Sequence, residues 1–270
     1  MTPLKLTRVL EVLDGIAPLT AASGWDNVGL LVEPSSDANA HRIMLCIDLT
    51  EAVLAEALDA QVELIVAYHP PIFGGVKRLS QSSPIQRSLM CAIGAGIAIY
   101  SPHTALDAAV GGVCDWLGQA LGPLSASTPL ECEGEDPAVG AGRLATLPSA
   151  RSLSSVCADL KAHLGITHLR VARHARHQGD APTIRTVALC PGAGGGLFEG
   201  VRSADLFLTG EMRHHDVLAR VAEGAAVVLT DHSHSERGYL PVLRDRLEAA
   251  LGGAADILVS RADAEPLEVL

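Results

Sequence analysis

Three apolar runs end in side chains that could hold a metal ion. AYHPPIF ends in Tyr68 and His69, YSPHTALDAA carries His103 and Asp107, and LTDHSHSE carries Asp231, His232, His234 and Glu236. His103 and Asp107 are four residues apart, as are His232 and Glu236, so each pair faces one way if its segment forms a helical turn. Imidazole nitrogen plus carboxylate oxygen, without thiolate, suits zinc, iron, manganese, cobalt or nickel rather than calcium or an iron–sulfur cluster. A single histidine at a strand end is more often a surface or hydrogen-bonded residue, but three His/acid sets at three strand ends strengthen the ligand reading.

The neighbouring residues bear on that reading. Pro70 and Pro71 remove two amide donors and stiffen the loop after His69, as they would in a plain turn. PGAGGGLF, from Pro191, could offer amide N–H groups to an anion or serve only as a tight connection. His214 and His215 are adjacent, so on a helix they point about 100° apart and do not readily share an ion. Cys114 and Cys190 have no basic neighbour in sequence and read as small core residues.

The elements that must position these groups alternate. Leu6, Val9, Leu10, Leu13 and Ile16 recur at helical spacing, which predicts an amphipathic first helix. WDNVGLLV reads as a turn and strand. HRIMLCIDL and VELIVAYHP read as strands around the helix TEAVLAEALDA, with Thr50 as its N-cap. A helix through Ser83–Gly94, the strand GIAIYSPH and a helix from about Leu106 to Leu121 follow. Strand–helix–strand order builds a parallel sheet, and ligand groups in such sheets gather past the carboxyl ends of the strands. Gly122–Gly142, with its acidic run ECEGEDP, reads as a linker or exposed loop. Beyond it come a helix in SLSSVCADLKAHLG, the strands HLRVARH, TIRTVALC, ADLFLTG and AAVVLTDH, a helix through HHDVLARVAEG and a final helix through LPVLRDRLEAAL. The expected architecture is α/β, with mixed or mostly parallel sheets flanked by helices and two lobes around a metal cleft. Residues 1–124 form an N-terminal lobe with metal-site residues, 125–200 a middle lobe, and 201–270 a segment completing the site.

The bulk numbers narrow the function. A 270-residue chain that is 48% hydrophobic can bury one large core or two smaller ones. Its formal charge of −11 repels phosphate backbones and anionic lipid, which argues against a nucleic-acid duplex as main partner. Six scattered cysteines without a CxxC pair fit a reducing, cytoplasmic setting. No export signal is read at the N-terminus, and no run reaches the roughly 18 apolar residues that span a bilayer.

Together, WDNVGLLV, AYHPPIF, SPHTALDAAVGGVCDWL, DLFLTGEMRHHDVL and DHSHSERGYL resemble the GTP cyclohydrolase I type two homologue family, also called Ngg-one-interacting-factor-three-like. The matched blocks run from about residue 25 to 240, and roughly 123 to 180 match poorly. The resemblance implies a toroidal homohexamer with two adjacent divalent metals per subunit and, in some members, a GTP-opening cyclohydrolase activity. It places ligands at His69, His103, Asp107, His232 and Glu236. The first histidine of the family's paired-His loop is Tyr68 here, a poor neutral ligand, so one or two ions per subunit are expected. Cys114 stands where a polar amide is expected.

The expectation is metal-assisted hydrolysis, with His234 as general acid or base or else a solvent-exposed loop residue, and with Arg213 and Arg237 near enough in sequence to receive the charge of a nucleotide substrate. A non-catalytic hexameric metal-binding or protein-interaction scaffold is the alternative, and phosphoryl transfer at two metals stays chemically open.

Overall fold

A computed structural model describes residues 3–132, 134 and 136–269. The chain divides into two compact units, one of Met1–Leu106 with Tyr239–Leu270, the other of Asp107–Gly238.

The first unit is built on a five-stranded sheet of β1 (Gly29–Val32), β2 (Arg42–Cys46), β3 (Leu64–Ala67), β4 (Ala98–Ser101) and, from the C-terminal segment, β13 (Asp256–Val259), in the order β1-β4-β3-β2-β13. β2, β3, β4 and β13 run parallel, and only β1 is antiparallel, against β4. The strands are short and apolar, and every residue of β3 and β4 is buried, as expected of a parallel sheet covered on both faces. Helices α2 (Glu51–Asp59) and α3 (Pro84–Ala95) contribute Val53, Leu54, Ala57, Leu89 and Ala92 to a core with Met44, Ile65 and Ile99 of the sheet. Thr50 caps α2 as its sequence predicts, its hydroxyl accepting from the Val53 amide at 3.2 Å. α1 (Leu6–Ile16) and α8 (Leu240–Leu251) pack together, and α1 buries Leu6, Val9 and Leu13.

The second unit carries α5 (Val113–Gln119), α6 (Leu153–Leu164), α7 (His214–Ala222) and a six-stranded sheet in the order β5-β8-β10-β11-β12-β9. Its parallel centre is β10 (Ile184–Cys190), β11 (Leu206–Thr209) and β12 (Ala226–Leu229). β8 (Arg143–Arg151) and β9 (Arg170–Arg173) flank that centre antiparallel, and β5 (Ala126–Thr128) pairs antiparallel with β8. The α/β expectation, with mixed sheets flanked by helices, therefore holds.

Two local readings differ from the structure. The helix expected over Leu106–Leu121 is two, α4 (His103–Ala108) and α5, because Gly111 takes φ +69° and its N–H donates to the Asp115 carboxylate at 2.7 Å, which closes a turn between them. The stretch expected as a linker holds β5 and a short hairpin of β6 (Glu131–Cys132) and β7 (Gly140–Ala141), while Glu133 and Glu135 of its acidic run lie outside the described residues. β8 was not legible because Pro148 cannot donate to a ladder. It falls where the pairing with β10 shifts register between Thr146 and Arg151, so no ladder bond is lost there.

Candidate metal centre

His69, His103, His232 and Glu236 sit where the chain leaves a strand or enters the next element, and Asp107 lies near the end of α4. In the first unit the ladder runs on past β2 and β3, with the Tyr68 N–H donating to Cys46 O at 2.8 Å and the His69 N–H to Ile47 O at 3.0 Å. That register lays Asp48 beside His69, and His69 Nδ1–H donates to Asp48 Oδ1 at 2.9 Å. His103 opens α4 with φ +25°, a conformation rare outside glycine that costs of order 1–3 kcal/mol and concentrates at functional sites. Its Nδ1 donates to the Asp26 carboxylate at 2.9 Å, and Asp26 also takes the amide and hydroxyl of Thr104. Burial on its own would raise the Asp26 carboxyl, but the hydrogen bonds from His103 and Thr104 outweigh it and hold the group below the usual carboxylate range.

Tyr68, at the position where the resembling family has a histidine, is buried, and its ring packs against His69 and His103 at centroid distances of 5.1 and 5.5 Å. Asp107 lies half-buried, four residues beyond His103 in α4.

In the second unit, His232 and Glu236 come together at the end of β12, Nε2 to Oε1 3.5 Å apart, with the Glu236 side chain 3% exposed. A short 3₁₀ turn over Ser233–Ser235 supplies the helical turn that their spacing requires. His232 Nδ1 donates to Glu211 at 3.0 Å. Glu211 is placed by the turn after β11, where its N–H donates to Gly192 O at 2.9 Å. Asp231, next to the proposed ligand His232, has φ +65°, a second strained residue just past a strand end. His234 Nδ1 donates to Thr230 O at 3.1 Å, which fixes the tautomer and leaves Nε2 as the basic nitrogen.

One glycine of the loop after β10 is required by this pair. Gly192 has φ +60°, and a Cβ there would stand 2.5 Å from Glu236 Oε1 and 3.1 Å from His232 Nε2. A Cβ on Gly210 would meet the backbone of Gly192, His232 and Asp231 below 3.0 Å. Only bare backbone fits at Gly192 and Gly210, which makes these two positions close-approach points rather than mere connections.

These features form one pattern. His69, His103 and His232 each spend Nδ1 on a carboxylate, of Asp48, Asp26 and Glu211, and so each presents Nε2 as an oriented donor. Carboxylate–histidine pairing of this kind is the usual support of a metal-binding imidazole. Each of these histidines, and Glu236 beside His232, could therefore serve as a metal donor, and nitrogen and oxygen donors fit a divalent transition metal. Sequence reading found the donors but not the three supporting acids. Asp26 and Glu211 lie within the quoted WDNVGLLV and DLFLTGEMRHHDVL blocks, and Asp48 lies in HRIMLCIDL, yet nothing local distinguishes them from solvated carboxylates. Cys114 and Cys190 are buried, as expected; contact with Cys114 and then burial push the Cys190 thiol up, which suits an inert core thiol.

Over residues 4–266 the sequence matches the family model DUF34/NIF3 (NGG1p interacting factor 3). The chain belongs to the DUF34/NIF3 family. Among its relatives, NIF3-like protein 1 of Drosophila melanogaster is 40% identical over 97% of this chain and 88% of its own. NGG1-interacting factor 3 of Saccharomyces cerevisiae is 38% identical over 100% of this chain and 98% of its own. A Bacillus cereus protein related to NIF3 shares the fold of this family member with a TM-score of 0.86 at 17% identity, each chain covered in full. A Staphylococcus aureus hypothetical protein superposes with a TM-score of 0.84 at 23% identity, over 99% of this DUF34/NIF3 chain and 100% of its own. Among the described residues no helix is long and apolar enough to cross a membrane.

Proposed function

We propose that this protein is a divalent-metal hydrolase of the DUF34/NIF3 family, in which His69, His232 and Glu236 hold one ion and His103 with Asp107 provide a second, poorer position. The observation that carries the reading is the shared support of the three histidines, each Nδ1 bonded to a carboxylate. Tyr68 in place of a histidine lowers the donor count of the second position.

A divalent ion bound there would lower the pKa of a water ligand toward about 7 and polarise a substrate oxygen. The protein's own groups do the rest. The Asp48, Asp26 and Glu211 carboxylates fix the ring planes of the histidines. His234, its Nδ1 committed to Thr230 O, takes and returns a proton at Nε2. The substrate proposed is a nucleotide, with GTP as the first to test, and the assembly proposed is a homohexamer. Six free cysteines accord with a cytoplasmic setting.

Elemental analysis with a nucleotide-hydrolysis assay tests this. Wild-type protein should bind divalent metal stoichiometrically and turn over GTP or a related nucleotide. Glu236→Gln should weaken metal binding by about tenfold or more while the fold is retained. Full metal occupancy without turnover of any nucleotide ends the hydrolase reading, and Glu236→Gln with undiminished metal ends the ligand assignment. Light scattering decides the hexamer.

A further inference from the structure

The chain has eight aromatic side chains, two Trp, three Tyr and three Phe. Six are buried, and the two left in solvent are Trp25, 64% exposed, and Phe73, 58% exposed. Both lie against the same histidine. Their ring centroids are 6.1 and 6.4 Å from that of His103, and 6.0 Å from each other. Bare aromatic surface gains from being covered by another ring, and a chain so poor in aromatics has set its two exposed ones at one proposed ligand.

The rings are held by rigid loops. Asp26, next to Trp25, is bound to His103 and Thr104, and the Ser23 amide donates to Thr104 Oγ1 at 3.0 Å. The Asn27 side-chain amide donates to Ile72 O, which ties the Trp25 loop to the Phe73 loop. Little rotational freedom of the backbone is left to lose when a ligand binds.

Beyond Phe73 opens a cavity of about 810 Å³ whose lining includes Lys77, Arg78, Ser80, Ser82 and Gln86 and no acidic residue. Among the described residues neither Lys77 nor Arg78 has an ion-pair or hydrogen-bond partner, in a chain whose net charge is −11. Two unpaired cations without an acid, next to two bare rings, are complementary to a planar ring that carries negative charge.

We propose that Trp25 and Phe73 are a stacking platform for a planar heteroaromatic ring, and that Lys77 and Arg78 receive an anionic group borne by the same molecule. The substrate class of the His103 centre is then a ring-bearing anion such as a nucleotide, and these four residues set its specificity. The assignment deepens the proposed function and rests on His103 belonging to the metal centre.

Tryptophan-fluorescence titration of the full chain tests it, since Trp116 is buried and Trp25 is the exposed reporter. GTP, guanosine and inorganic tripolyphosphate are titrated into wild-type, Trp25→Leu, Phe73→Leu and Lys77→Ala/Arg78→Ala proteins, with calorimetry where Trp25 is replaced. Each titration is run metal-loaded and after chelation. GTP should bind in both states. Trp25→Leu and Phe73→Leu should weaken GTP and guanosine alike by about tenfold and leave tripolyphosphate unchanged. The double Lys/Arg variant should weaken GTP and tripolyphosphate, flatten the salt dependence and spare guanosine. Equal GTP affinity in all variants overturns the proposal, as does failure of the wild type to bind GTP in either state. So does a change in oligomeric mass of Trp25→Leu or Phe73→Leu by light scattering, which would make the rings a contact between copies of the chain. Platform binding that survives chelation separates this inference from the metal reading: protein that binds GTP but no metal sinks only the latter, and protein that binds metal but no ring sinks only the former.

Discussion

Replacing Gly192 by alanine tests the claim that bare backbone is required beside the His232–Glu236 pair. Two costs follow from the geometry. At φ +60° an L-residue gives up roughly 1–2 kcal/mol relative to glycine. The added Cβ would stand 2.5 Å from Glu236 Oε1 and 3.1 Å from His232 Nε2, so the carboxylate must retreat by roughly 1 Å to reach ordinary van der Waals separation. Because the Glu236 side chain is 3% exposed, it has little room to do so. About 2 kcal/mol of lost stability lowers Tm by about 4–8 °C in a chain of this size. A displacement of roughly 1 Å also exceeds the few tenths of an ångström that metal coordination tolerates, so metal affinity should fall about tenfold to a hundredfold. Thermal unfolding followed by circular dichroism, with and without chelator, reads the first effect, and elemental analysis after dialysis against limiting metal reads the second. Gly195→Ala is the matched control from the same loop, with nothing within 4 Å of its added Cβ. If Gly192→Ala melts within about 1 °C of wild type and keeps its full metal, the close-approach argument is wrong.

Two other perturbations probe what holds the second unit. Arg143 is almost wholly buried, donating to Asp115 at 2.6 Å and to the carbonyls of Gly140 and Gly142, so Asp115→Ala strands a buried cation and should cost about 3 kcal/mol, partly recovered by adding Arg143→Met; a single variant with the wild-type denaturation midpoint would contradict this. Asp205 accepts from the Thr186 and Arg185 amides, and although burial works to raise its carboxyl, these bonds and Arg176 hold it below the usual range. A depressed folded-state pKa means stability that is present above the ordinary carboxylate value of roughly 3.9 and lost as pH falls through the lower folded value. Asp205→Asn should therefore cost about 1–3 kcal/mol at neutral pH, with the gap to wild type closing as urea midpoints are taken toward pH 3; a gap that does not change with pH would refute it.

How much could be read from the sequence follows the range of each interaction. Apolar runs such as LIVA and AVVL became strands, the Leu6–Val9–Leu13 spacing became a helix, and Thr50 became a cap, because each is decided among residues a few positions apart. The donor types at the strand ends, and the His232–Glu236 spacing that one 3₁₀ turn closes, were legible for the same reason. The split between α4 and α5 was missed because it hangs on the turn made by a single glycine, and β8 was missed because its proline hides in a bulge that only the partner strand defines.

The sequence by itself settled the family and most of the element order, and it supplied the donor types from which a metal site is proposed. The tertiary structure decided which carboxylates serve the histidines: Asp48 for His69 at 21 residues' separation, Asp26 for His103 at 77, and Glu211 for His232 at 21. It also decided that Gly192 must carry no side chain. Those pairings depend on strand register and loop closure, and no periodicity in a chain encodes which distant carboxylate a folded sheet will bring within 3 Å of an imidazole.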